Sequence, residues 1–264
     1  MHAPRLALTL LLTASLSVPC FAQVTVLTTR RDTAASASGD SVYDGRSDAD
    51  SSLGHFRSVR TACVTTPMGN TGCGVGTQES GIGADRLWAV GQGGASTTPA
   101  PDSDLYVSAG RSGFEAVFRV DSPARYWLSG SARAVYATAI VTIFGPGGTV
   151  LQQHNESNAE TLFDDAGILL PGVYEIHMVA EATTDPSFEW GSTGADFSAT
   201  LRWMPYCPAD FNADGFTDFF DYDDFVACYE GDACPTSEDA DFNNDGFADF
   251  FDYDEFVQAF ESGC

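Results

Sequence analysis

The chain is 264 residues long, carries 12 Arg and no Lys against 37 Asp plus Glu, and has a formal net charge of −25 at pH 7. That balance argues against nucleic acid as a partner, because neutralising phosphates needs basic surface, and the absence of Lys removes Schiff-base and Lys-nucleophile chemistry. The charge is concentrated: residues 207–264 hold 13 Asp and 4 Glu with no Lys or Arg, while the chain before them is only mildly acidic.

From the N-terminus, residues 6–18 are almost wholly apolar or small, and Cys20-Phe-Ala22 follows. This pattern predicts a secretory signal peptide over residues 1–22, cleaved after Ala22. The apolar run is short for a membrane span, so the expectation is a secreted, extracellular or cell-surface protein without a transmembrane anchor. The remaining six cysteines, an even number, point to disulfides. Of fifteen possible connectivities, sequence proximity favours Cys63–Cys73 and Cys228–Cys234, which leaves Cys207 and Cys264 to close the C-terminal segment.

Residues 23–206 read as one mainly β domain, a sandwich or jelly roll. Strict alternation puts Phe114, Ala116, Phe118 and Val120 on one strand face, Tyr174, Ile176 and Met178 on another, and Phe197, Ala199, Leu201 and Trp203 on a third. Further strands are expected at 24–28, 58–64, 87–90, 105–108, 126–129 and 136–144, with turns at Gly145-Pro-Gly-Gly148 and Pro171-Gly172. The Ser/Gly/Thr-rich stretches 33–52, 69–83 and 91–104 read as long loops.

The C-terminal segment is written twice. Asp210-Phe-Asn-Ala-Asp-Gly-Phe-Thr-Asp-Phe-Phe-Asp221 returns 31 residues later as Asp241-Phe-Asn-Asn-Asp-Gly-Phe-Ala-Asp-Phe-Phe-Asp252. Oxygen-bearing side chains fall at loop positions 1, 3, 5, 9 and 12: Asp210, Asn212, Asp214, Asp218 and Asp221, then Asp241, Asn243, Asp245, Asp249 and Asp252. Phe216 and Phe247 at position 7 would add backbone carbonyls, and Gly215 and Gly246 permit the sharp turn at position 6. This is the pattern that wraps Ca²⁺ in oxygen, so two Ca²⁺ ions are expected. After each loop, apolar residues at Tyr222, Phe225 and Tyr229, and at Tyr253, Phe256 and Phe260, share one face of a predicted helix.

An EF-hand loop ends on Glu; these end on Asp221 and Asp252. With that feature, the helices that follow and the Ser262-Gly-Cys264 ending, residues 207–264 resemble a dockerin of the cysteine-bounded, Gly-Cys-terminated type found on secreted bacterial proteins. The resemblance implies a small α-helical, EF-hand-like domain of two calcium loop–helix units about a pseudo-twofold axis. It also implies docking on a cohesin-like or other surface protein. Position 8 departs from the family's branched apolar residue, being Thr217 and Ala248. Positions 10 and 11, where such modules recognise partners, are Phe219-Phe220 and Phe250-Phe251. Those rings either fill the core of a very small domain or form an exposed apolar patch for the partner.

For the β domain no catalytic motif is complete. Gly39-Asp40-Ser41 lacks a matching Asp-x-x-His, because His55, His154 and His177 follow Ser52, Leu151 and Tyr174 at that offset. Glu115, Glu175 and Glu189 as a glycosidase pair compete with simple exposed strand positions, and His177 reads as a surface residue. A polysaccharide-binding role, with sugars stacked on Trp88, Trp127, Trp190 or Tyr126, is the rival to a structural one.

Overall fold

The computed structural model describes residues 24–39, 42–67, 69–98, 107–156, 158–184, 191–232, 234, 239–243 and 245–263. Ala22–Cys207 forms one compact unit, and Pro208–Cys264 belongs to a second. The first is built from twelve strands: β1 (Val24–Gly39), β2 (Val42–Asp50), β3 (Phe56–Thr65), β4 (Thr71–Ile82), β5 (Arg86–Thr98), β6 (Val107–Val120), β7 (Ala124–Val135), β8 (Ala137–Phe144), β9 (Val150–Glu156), β10 (Glu160–Leu169), β11 (Gly172–Thr183) and β12 (Gly191–Pro205). They form two six-stranded antiparallel sheets, ordered β2-β1-β6-β11-β8-β9 and β10-β7-β12-β5-β4-β3. The fold is a β-sandwich, as the alternating pattern predicts.

The three alternating faces form the centre of its core. Phe114, Ala116, Phe118 and Val120 on β6, Tyr174, Ile176 and Met178 on β11, and Phe197, Ala199, Leu201 and Trp203 on β12 are all buried in one cluster. Phe118 stacks between Tyr174 and Trp203, with ring centroids 5.6 and 6.3 Å away. The Gly-Pro-Gly-Gly sequence makes the expected turn between β8 and β9, with Gly147 and Gly148 at positive φ.

The three expected loops are strands. Residues 33–39 continue β1, 42–50 are β2, 71–82 are β4 and 91–98 extend β5; residues 99–104 lie outside the described residues. The physical reason is the spacing of the sheets. A Cβ at Gly110 on β6 would lie 1.9 Å from the Val75 carbonyl oxygen and 2.4 Å from that of Gly94. A Cβ at Gly74 on β4 would lie 2.0 Å from the Ala109 oxygen. At these points the two sheets meet backbone to backbone, so glycine alone fits there, with small residues such as Ala35, Ala37 and Ala62 buried nearby. Small polar residues here mark a thin core. Strands β9 and β10 were not anticipated either, because β10 lies at a sheet edge with a largely exposed alternation.

Polar side chains enter the thin side. Thr33 Oγ1 and Ser58 Oγ hydrogen-bond across the sheets at 2.8 Å. Arg31 is fully buried; its Nη1 donates to Asp50 Oδ2 at 3.1 Å, and its guanidinium lies 5.9 Å from the Phe114 ring. Cys63 and Cys73 face each other on β3 and β4 and are joined by a disulfide.

The second unit contains α1 (Phe219–Tyr229) and α2 (Phe250–Ser262). Each starts at an Asp N-cap inside a capping box: Asp218 with Asp221, and Asp249 with Asp252. Cys228 and Cys234 form a disulfide. Cys207 is also disulfide-bonded, and Cys264 lies outside the described residues.

Candidate metal centre

Each repeat loop is held by its own acidic side chains, in the same way both times. The backbone N–H of Gly215 donates to Asp210 Oδ2 at 3.1 Å, and that of Gly246 to Asp241 Oδ2 at 2.7 Å. Asn212 Oδ1 accepts from the Asp214 N–H, and Asn243 Oδ1 from the Asp245 N–H, both at 2.9 Å. Asp214 and Asp245 in turn accept from Phe216 and Phe247 at 2.9 and 3.0 Å. The glycines at position 6 sit at φ +92° and +97°, where a side chain is strained.

Position 12 closes the loop. Asp221 Oδ1 accepts the Asn212 N–H at 3.1 Å and its Oδ2 accepts the Asp218 N–H at 2.8 Å. Asp252 repeats this with Asn243 at 2.9 Å and Asp249 at 2.7 Å. Both carboxylates are fully buried. For Asp252, burial alone would raise the carboxyl; the N–H groups of Asp249, Asn243, Asp252 and Phe242 outweigh it and hold the group below its ordinary value. Asp218 and Asp249 at position 9 cap the helices by accepting from Phe220 and Phe251 at 2.9 and 2.8 Å.

The loop carboxylates are not drawn into a tight cluster. Among the described residues, the only group of at least three His, Cys, Asp or Glu donors within 4.8 Å of one another is Glu115, Glu175 and His177 on the sandwich. The loop carboxylates are engaged by backbone N–H groups, position 3 is an amide, and position 7 offers a carbonyl. The donor set is all oxygen and acidic, which suits Ca²⁺ and disfavours softer metals.

Behind the loops, residues 31 apart meet their own counterparts. Phe225 stacks on Phe256 with centroids 4.0 Å apart and planes within 6°, and the Tyr222 and Tyr253 hydroxyls are 2.5 Å apart. Phe211 contacts Phe225 and Phe256 at 5.3 and 6.1 Å; its counterpart Phe242 contacts Phe256 and Phe225 at 5.5 and 6.1 Å. Tyr222 meets Phe260 at 6.0 Å, as Tyr253 meets Tyr229 at 6.1 Å. Contacts of i with j and of j with i are the signature of an isologous, twofold arrangement. The helix-face spacing anticipated most of this core. Phe211 and Phe242 at position 2 were missed, although their repetition between two Asp-rich positions was a signal.

The rings at positions 10 and 11 are not core. Phe219, Phe220, Phe250 and Phe251 are between 66% and 69% exposed, and Phe216 and Phe247 at position 7 are 71% and 72% exposed. Each loop thus exposes three phenylalanine rings, at positions 7, 10 and 11.

On the sandwich, the proposed sugar-stacking residues separate. Tyr126 is buried in the core and cannot offer a face to a ligand. Trp88 and Trp127 are half-buried at outward positions of β5 and β7, and Trp190 lies outside the described residues, as do Glu189, Asp40 and Ser41. His55, His154 and His177 pair with Glu79, Asp165 and Glu115 at 3.0, 2.6 and 3.0 Å. Among the described residues no helix is long and apolar enough to cross a membrane. No protein-family model matches the chain, and a comparison with curated proteins finds no match.

Proposed function

We propose that residues 207–264 bind two Ca²⁺ ions and dock the β-sandwich, as a non-catalytic secreted protein, onto a cohesin-like or other protein at a cell surface or in an extracellular assembly. One observation carries this reading: two loops with the same oxygen pattern and the same hydrogen bonds are each closed by a buried Asp, in a segment with no cationic side chain to neutralise it. Asp210, Asn212, Asp214, Asp218 and Asp221, with the Phe216 carbonyl, would hold one ion; Asp241, Asn243, Asp245, Asp249 and Asp252, with the Phe247 carbonyl, the other. Calcium supplies positive charge to loops that otherwise repel themselves.

The exposed Phe219-Phe220 and Phe250-Phe251 pairs, next to each ion loop, supply the docking anchors. Two disulfides fit export to an oxidising compartment. The test is binding of the full chain to an immobilised cohesin module. Binding with calcium and loss of it in chelator supports the reading; binding indifferent to chelator contradicts it. Trp88 and Trp127 at outward positions favour polysaccharide binding as a second reading, and retention on insoluble polysaccharide, lost in Trp127→Ala, would select it.

A further inference from the structure

The outer face of the first sheet carries a cluster that the calcium reading does not use. Strand register assembles it. His177 on β11 lies directly opposite Glu115 on β6, and Glu175, two residues before His177, projects from the same face. His177 Nε2 lies 3.0 Å from Glu115 Oε2 and 3.2 Å from Glu175 Oε1. The three donor atoms all fall within 4.8 Å of one another, and all three residues are half-buried. The His177 and Phe144 rings meet nearly perpendicular, with centroids 6.0 Å apart.

Zinc bonds to imidazole nitrogen and carboxylate oxygen are about 2.0–2.2 Å long, which sets neighbouring donors roughly 3.0–3.5 Å apart. The His177 spacings to both glutamates lie in that range. An imidazolium bridging the two carboxylates would produce similar distances, with Arg30, opposite Glu115 in the β1–β6 register, as a further cation; the metal titration below separates the two. A second feature adjoins the cluster: a recess bordered by Arg30, Asp32, Arg111, Gly113, Glu115 and His177. It gives the exposed side of such an ion access to water or a small anion. One nitrogen and two oxygens suit a borderline cation, whereas calcium takes six to eight oxygens.

We propose that Glu115, Glu175 and His177 form a three-ligand site for a divalent cation of the zinc class, open on its recess side to an exogenous ligand. The site is independent of the C-terminal loops, so the two assignments succeed or fail separately.

The test uses the full chain in excess Ca²⁺, titrated with Zn²⁺ by calorimetry, with Co²⁺ absorption as the readout of coordination. The expected result is one zinc per chain and a visible Co²⁺ band that zinc displaces. Glu115→Gln and His177→Gln should each weaken zinc binding about tenfold or more and abolish the band, with unchanged melting. Glu181→Gln, on the same strand face but outside the cluster, should bind as the parent does. Glu115→Gln conserves side-chain shape and keeps the test open should the His177 variant fold poorly. Absence of zinc binding by the folded chain, or binding undiminished in both cluster variants, overturns the proposal.

Discussion

Replacing Gly110 by Ala should destabilise the sandwich far more than a single methyl group normally does. Its Cβ would sit 1.9 Å from the Val75 carbonyl oxygen and 2.4 Å from the Gly94 oxygen. Both are backbone atoms of the opposite sheet, which cannot rotate away as a side chain can. Relief requires the sheets to separate along β4, β5 and β6. Overpacking of a tight core costs about 1–3 kcal/mol, and backbone on both sides puts this case at the upper end, about 3 kcal/mol. For a unit of this size, about 2–4 °C of melting temperature per kcal/mol gives a drop of about 6–12 °C. The control is Gly194→Ala on β12, where the nearest atom to a new Cβ is the Gly93 oxygen at an ordinary 3.9 Å. There the greater strand compatibility of Ala should leave stability unchanged or raise it by up to about 1 kcal/mol. Thermal unfolding by near-ultraviolet circular dichroism, in excess calcium, separates the two. Equal melting temperatures for both variants would refute the backbone-to-backbone account of the thin core.

Phe225→Ala removes one ring of the stacked pair at the twofold centre, and should cost the C-terminal unit about 3–5 kcal/mol, seen as loss of helical signal at a lower urea concentration. Phe219→Ser with Phe250→Ser should weaken partner binding at least about tenfold while calcium affinity is retained, since these rings are exposed; calorimetry and surface binding on the same sample check both halves. The Asp50 carboxyl is held below its ordinary value of 3.8, first by the Ser52 hydroxyl and N–H and then by Arg31. A folded-state value lowered in this way adds stability above the unfolded value, and that stability is lost as pH falls through the folded one. Melting between pH 5 and 2 should show this loss, and Asp50→Asn should flatten it. At pH 7 the same variant leaves buried Arg31 without its counter-ion, costing less than the about 3–5 kcal/mol of a fully buried pair because Asp50 is partly in water.

The legible part of the sandwich was the side built from large residues. Alternation of Phe, Tyr, Ile and Trp with polar positions identified β6, β11 and β12 and the faces they bury. The thin side gave no such signal: where two backbones meet, the position is Gly, and many buried neighbours are Ala, Ser or Thr, the residues that also make loops. Buried Arg31 was equally silent, since its acceptor Asp50 becomes a neighbour only through the β1–β2 register. In the C-terminal unit the loop positions were legible because Asp, Asn and Gly each have a fixed stereochemical task there. Which phenylalanines turn inward was not, because Phe211 and Phe219 differ only in what the chain brings against them. The Glu115–His177 pairing joins residues 62 apart, and only strand register puts them opposite one another.

Calcium binding should order the C-terminal repeat. Chelator-stripped, disulfide-intact protein titrated with Ca²⁺ by calorimetry, with far-ultraviolet circular dichroism on the same samples, tests it most directly. Two ions should bind per chain, with a gain of helical signal that saturates with them and loss of both when Asp221 and Asp252 are changed to Ala. Absence of binding at millimolar calcium, or binding that leaves the helices unchanged and survives loss of both aspartates, would contradict it.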